Sequence, residues 1–241
     1  MLALLQSEWY KLRKSKILSL IFVGPLIGLF LGLAIDHGRD PGVNEWYVAV
    51  LYMNVTYALL FLPLITGVFA STICRYEHQA GGWKQLLSLP VSRVNVFVVK
   101  FILLMGIVFA IQLFYLGAIY AVGMLKGYTD PFPMAIVWKS IFGGWIAAFP
   151  LVALQLWMSI VFKSFAAPLA VNVIFTLPSI LAANSERFGP YYPWAQPFQM
   201  MYIGNPNDVF FVPLDQLFIV VGGSFLLFFF GGLFYFQRKM I

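Results

Sequence analysis

Six stretches of this chain are close to pure hydrocarbon, at about residues 17–35, 47–74, 96–125, 134–162, 165–183 and 215–236. A bilayer's apolar core of roughly 30 Å is crossed by about 20 apolar residues in a helix. Within lipid the backbone has no water to bond with, so a crossing segment is either a helix or a strand of a closed barrel. The runs show no alternation of apolar and polar residues, which excludes the barrel. Composition agrees, with 61% hydrophobic and only 10% charged residues, against about 25% charged in soluble domains. The expectation is an all-α membrane protein with six transmembrane helices, forming a single domain over residues 1–241. No connection is long enough to bury a separate soluble core.

Orientation follows from lysine and arginine in the short connections. Lys11, Arg13, Lys14, Lys16, Arg75, Lys84, Arg93, Lys100, Lys163, Arg238 and Lys239 fall on one side. Arg39, Lys126, Lys139 and Arg187 fall on the other, with seven of the nine acids. Both termini are therefore expected in the cytoplasm. The asymmetry accounts for the net charge of +6, so a nucleic-acid partner is not needed to explain it. The first apolar run follows a basic segment and lacks a small-x-small cleavage site, so a cleaved signal peptide is not expected. The single Cys74 has no partner for an internal disulfide.

Residues 1–16, MLALLQSEWYKLRKSK, place Leu2, Leu5, Trp9 and Leu12 on one helical face and Ser7, Lys11 and Lys14 opposite. That pattern suits a helix lying in the membrane interface, and the lysines serve equally as charge anchors. In the first span Gly24, Gly28 and Gly32 recur every fourth residue, a stripe that lets helix backbones approach closely. Residues 184–214 interleave five prolines with Tyr191, Tyr192, Trp194, Phe198 and Tyr202. They read as a short outer structure at headgroup depth, where aromatic rings settle.

Several chemistries have no residues to carry them. The spans contain no Asp or Glu away from helix ends, whereas ion-coupled carriers usually keep ionisable groups at mid-membrane. His37 and His78 fall on opposite sides of the membrane, too far apart for a zinc pair. Cys74, Glu77 and His78 are close along one helix end, but a structural metal site takes four ligands, and a helix reaching solvent explains them as well. There is no G-x-x-x-x-G-K-[ST] phosphate loop. No catalytic, cofactor or metal residue is expected, and any uphill movement must draw its energy from another polypeptide.

The polar segment 75–95 interrupts this pattern. Arg75, Glu77 and His78 extend the second helix outward, and Gly81-Gly82 breaks it. Trp83, Leu86, Leu87 and Pro90 then follow at helical spacing, a short amphipathic helix stopped by proline. Ser92 stands where it can cap the third helix. An apolar face at the membrane surface either docks a partner or rests on lipid headgroups.

The segments SEWYKLRKS, E…GGWKQLLSLPVSR…K and YYPWAQP together resemble the ABC-2 permeases of ABC exporters, the type V fold. Within that class the chain is most similar to permeases of lantibiotic immunity and bacitracin-type antibiotic resistance. The resemblance implies an elbow helix at 1–16, a cytoplasmic coupling segment at 75–95 and a small extracellular element at 184–214. It implies docking on a separate ATPase through Trp83, Leu86 and Leu87, flanked by Glu77 and Lys84. ATP and Mg would sit on two copies of that partner, beside a second permease, identical or related, in a bacterial cell membrane.

The leading reading is thus a transport subunit, not an enzyme, expelling an amphiphilic compound such as an antimicrobial peptide. An exporter of a lipid, drug or other small amphiphile fits the same residues. An intramembrane enzyme lacks catalytic groups. A passive channel or a membrane anchor needs a polar stripe or a partner. The polar residues available to a translocation path are Asn54, Thr56, Gln112, Gln155 and Asn172, sparse enough to suit an amphiphile better than an ion, though such groups commonly bond helix to helix.

Overall fold

The computed structural model describes residues 1–34, 44–79, 81–205 and 208–239, so His37 and Arg39 lie outside the described residues. In chain order the helices are α1 Leu2–Lys14, α2 Lys16–Ala34, α3 Glu45–His78, α4 Gly82–Ser88 and α5 Arg93–Lys126. Then come α6 Met134–Val161, α7 Ala166–Thr176, α8 Ser179–Ala183, α9 Gln196–Met201 and α10 Leu214–Arg238. No strand occurs among the described residues.

Five of these helices, α2, α3, α5, α6 and α10, are long and apolar enough to cross a membrane. The run expected at 165–183 differs. Its helix α7 has 11 residues, about 16 Å at 1.5 Å per residue, and the chain turns at Leu177 and Pro178 before α8. Proline has no N–H for the helical ladder, so the apolar run folds as two short pieces.

Local chemistry sets the helix ends. The Asn44 side chain accepts from the backbone N–H of Trp46 at 2.9 Å and of Tyr47 at 3.4 Å, starting α3. Ser92 Oγ accepts from Asn95 N–H at 3.1 Å and starts α5, which ends at Gly127 with φ +68°. The Gly81-Gly82 break has two reasons. Gly81 adopts φ +73°, and a Cβ at Gly82 would lie 2.6 Å from the Tyr76 carbonyl.

Helix α6 is the hub, packed against α3, α5, α9 and α10. Helix α2 lies along α5 and α3 through its glycine stripe, which is buried. A Cβ at Gly28 would stand 2.8 Å from the Tyr115 ring, and one at Gly32 would stand 2.7 Å from Val122 and 2.8 Å from Met53. Gly24 meets Ile65 and Tyr57 in the same way.

The segment after α8 is more deeply set than a belt at headgroup depth. Trp194, Phe198 and Met201 are buried, as are Gln196 and Gln199, and α9 packs against α6 and the middle of α3. Tyr191, by contrast, is exposed. The chain, which carries Pro190, Pro193 and Pro197, thus runs inward to place α9 against α6.

Candidate functional site

Two buried polar groupings stand out, one at the end of the bundle that carries α4 and one in its interior. At the α4 end, α1 folds across α3 and α5. Leu12 is buried on the contact face of α1, and so is Glu8. Lys100, on the second turn of α5, is wholly buried and donates to Glu8 Oε2 at 2.6 Å and to the Ile73 carbonyl at 3.0 Å. Its Nζ lies 3.1 Å from Glu77 Oε1. Lys11 closes the ring, at 2.6 Å from Glu8 Oε1 and 2.8 Å from Glu77 Oε1. Two carboxylates and two ammonium groups cancel in charge, which offsets the cost of burying Glu8, Glu77 and Lys100.

This cluster corrects the expectation that Glu77 extends outward to solvent: Glu8 and Glu77 are each 3% exposed. Glu77 does not extend into solvent because α1 covers it and brings Lys11 with it. The sequence held a signal for Glu8, since Leu5, Glu8 and Leu12 share one face at i, i+3 and i+7. Leu2 and Trp9, placed on that face by the apolar pattern, are exposed instead.

Helix α4 is anchored from below. Trp83 is 5% exposed, its ring 5.0 Å from that of Phe236. Its Nε1–H donates to His78 Nδ1 at 3.2 Å. A tryptophan N–H can only donate, so His78 carries its proton on Nε2, which donates to the Ser159 carbonyl at 2.8 Å. Trp83 thus faces the bundle, with Leu86 and Leu87 half-buried beside it. Lys84, Gln85, Ser88 and Leu89 face outward. Cys74 is buried as a free thiol one turn before His78.

In the interior, the residues read as a candidate path are tied to one another and to the backbone. Asn54 Nδ2 donates to Ser140 Oγ at 3.0 Å and to the Met201 carbonyl at 2.9 Å, and Asn54 Oδ1 accepts from Tyr115 at 2.9 Å. Tyr57 donates to Gln112 Oε1 at 3.1 Å while its ring stacks on Tyr115 at 3.6 Å. Asn172 Oδ1 accepts from Gln155 Nε2 and from Trp194 Nε1, each at 2.8 Å, and Asn172 Nδ2 donates to the Pro63 carbonyl at 2.9 Å. Thr56 is half-buried and stands apart from this network.

Helix α3 is wound wide over Tyr57–Phe61, just before Pro63. Proline cannot donate to the Leu59 carbonyl, and that oxygen accepts the Ser179 hydroxyl at 3.0 Å instead. A broken helical ladder is commonly repaired by a side chain in this way. The partners Ser140, Tyr115, Ser179, Trp194 and the Met201 carbonyl were not among the sequence candidates, because spacing along one helix says nothing of which helix stands opposite.

A helical bundle with five span-length helices and neutral polar bonds between them has the architecture of a multi-pass membrane protein. Residues 4–179, well over half of the chain, match the family described as ABC-2 family transporter protein, and the chain belongs to that family. A search of curated proteins finds no match. Permeases of this family are transport subunits that normally work with an ABC ATPase.

Proposed function

We propose that this chain is the permease half of an ATP-driven exporter in a bacterial cell membrane, clearing an amphiphilic antimicrobial peptide of the lantibiotic or bacitracin kind. Two such permeases, identical or related, pair with two ATPase subunits that hold ATP and Mg. The chain crosses the membrane six times with both termini in the cytoplasm, α7 and α8 together making the fifth passage. Helix α1 is the elbow helix and α4 the coupling helix. Direction and cargo are carried by the resemblance of SEWYKLRKS, GGWKQLLSLPVSR and YYPWAQP, and the sparse neutral polarity of the interior suits an amphiphile.

The observation that supports coupling is α4 itself. It is fixed to the bundle by Trp83 against Phe236, lies over the Glu77 ion cluster, and turns Lys84, Gln85 and Leu89 outward, Leu89 at 55% exposure. In this arrangement Trp83 and Glu77 position the helix, and Gln85 and Leu89 with the free edges of Leu86 and Leu87 meet the ATPase, Lys84 standing at the flank. The Gln85→Ala, Leu89→Asp double variant tests the docking role. ATPase co-purification should fall roughly thirtyfold, as for loss of about 2 kcal/mol at an interface centre, with the fold intact. Wild-type stoichiometry and ATP turnover would leave α4 as a surface loop. Cargo is tested by growth of a sensitive bacterium expressing the complex. Tolerance should rise to a lantibiotic or to bacitracin, and unchanged tolerance to both rejects the peptide reading.

A further inference from the structure

Beside α4 lies an open pocket of about 310 Å³ lined by Glu77, His78, Gly81, Trp83, Lys84, Lys163 and Lys239. Its charge is one-sided. Glu77 Oε1 is engaged by Lys11 and Lys100, whose charges offset its own, and its Oε2 is buried without a hydrogen-bond partner. His78 is neutral, one ring nitrogen accepting from Trp83 and the other donating to Ser159. That leaves three ammonium groups, and no ion pair joins Lys84, Lys163 or Lys239 to an acid among the described residues. Lys239 Nζ donates to the Ile160 carbonyl at the end of α6. Burial, and then the Lys163 ammonium beside it, pull Lys239 below the usual lysine range. Like charges lining one pocket repel, and a bound anion relieves that repulsion.

The position says which anion. The pocket sits where α3 ends at His78, α6 at Val161 and α10 at Arg238, three of the five span-length helices. Lysines flanking the ends of membrane-spanning helices commonly reach the level of lipid headgroups. Basic pockets between span ends at the membrane surface favour anionic headgroups, at about 1 kcal/mol per cation.

We propose that Lys84, Lys163 and Lys239 form a binding site for the phosphate group of an anionic phospholipid, held against α4. The bound headgroup joins α4 to the ends of α6 and α10, so lipid composition sets how firmly α4 is held. This does not depend on the exporter reading, because the ligand belongs to the membrane and the permease is assayed alone.

The test uses the full chain in nanodiscs of equal parts phosphatidylglycerol and phosphatidylcholine, released into detergent and weighed intact by native mass spectrometry. Phosphatidylglycerol should be retained in preference. The Lys84→Gln, Lys163→Gln variant, both positions exposed, should lose that preference roughly thirtyfold. The Arg13→Gln, Lys14→Gln variant removes the same charge elsewhere and should keep it. A parallel thermal-shift titration with inorganic phosphate separates the sources. Stabilisation by free phosphate without lipid retention would overturn the lipid site, as would equal retention in the two variants. If lipid retention is unchanged while the Lys84, Lys163 variant loses ATPase co-purification, the pocket serves a protein carboxylate and the proposal fails.

Discussion

At the α4 end of the bundle three buried charged side chains and the partly exposed Lys11 share one site, while the interior is held by neutral amides, hydroxyls and freed carbonyls. Each region has members that are wholly buried: Lys100 on one side and Asn54, Gln112, Gln155 and Asn172 on the other are all 0% exposed. They differ in what failure costs. A neutral hydrogen bond within a membrane protein contributes about 0.6 kcal/mol on average, whereas an unpaired buried charge costs several kcal/mol. Charges are used where an amphipathic helix must be pinned across two span ends. Neutral bonds are used where helices have to pass one another at membrane depth.

The largest expected effect tests the charged side. Lys100→Met leaves Glu8 and Glu77 to share Lys11, and should destabilise the protein by about 3–5 kcal/mol, read as the unfolding midpoint in detergent. Adding Glu8→Met removes the orphaned carboxylate and should recover part of that loss, because the Lys11–Glu77 pair at 2.8 Å survives. A midpoint within about 1 kcal/mol of wild type for Lys100→Met alone would break the comparison, since α1 would then be held by its apolar contacts.

On the neutral side, Asn172→Leu removes the acceptor of Gln155 and Trp194 and the donor to Pro63. Three bonds at membrane values predict about 2 kcal/mol, less than Lys100→Met although as many partners are lost. If Asn172→Leu proves the more damaging, the interior network outranks the ion cluster and the division drawn above is reversed.

Packing sharpens the contrast with a matched pair. Gly28→Leu drives a side chain into the Tyr115 ring, whose hydroxyl serves Asn54, and overpacking of this kind costs about 1–3 kcal/mol. The same change at Gly106, where a Cβ would meet nothing within 4 Å, should be close to neutral. Equal yields of folded protein for both variants would mean that the glycine stripe of α2 tolerates separation from α5.

Much of the helical architecture was legible because it is a matter of length and apolarity. The helices α2, α3, α5, α6 and α10 fall on the expected runs, and Gly81-Gly82, Pro90 and Ser92 delimit α4 and α5 where their backbone chemistry requires. The break at Pro178 was less legible, since Pro25, Pro63 and Pro150 all sit inside helices. What differs at 178 is the chain that follows, which leaves for α8 instead of continuing the ladder. The site was legible only in part. Trp83 and Leu86 were found by their spacing, but spacing cannot say whether the apolar face looks toward the bundle or away from it. Phe236 lies 153 positions along the chain from Trp83, and only the fold reveals that it closes over the indole. Lys100 was masked for a different reason: a lysine near a span end reads as a surface anchor, and the acids that neutralise it come from two other helices.

The smallest expected effect concerns a single neutral bond, and it asks whether the wide turn of α3 depends on α8. Ser179→Ala removes the hydroxyl that reaches the Leu59 carbonyl at 3.0 Å and should cost about 0.6–1 kcal/mol. Pro63→Ala supplies the backbone N–H that this carbonyl lacks, so the regular ladder can close without help from α8. In the Pro63→Ala background the Ser179→Ala change should therefore be nearly silent, giving a coupling free energy about equal to the single-variant loss. Additive effects in that cycle would show that Ser179 stabilises α8 on its own account and that Pro63 does not create the need for it. Coupling of the expected size would identify the broken turn of α3 as the place where the two short helices, α7 and α8, are joined to the long ones.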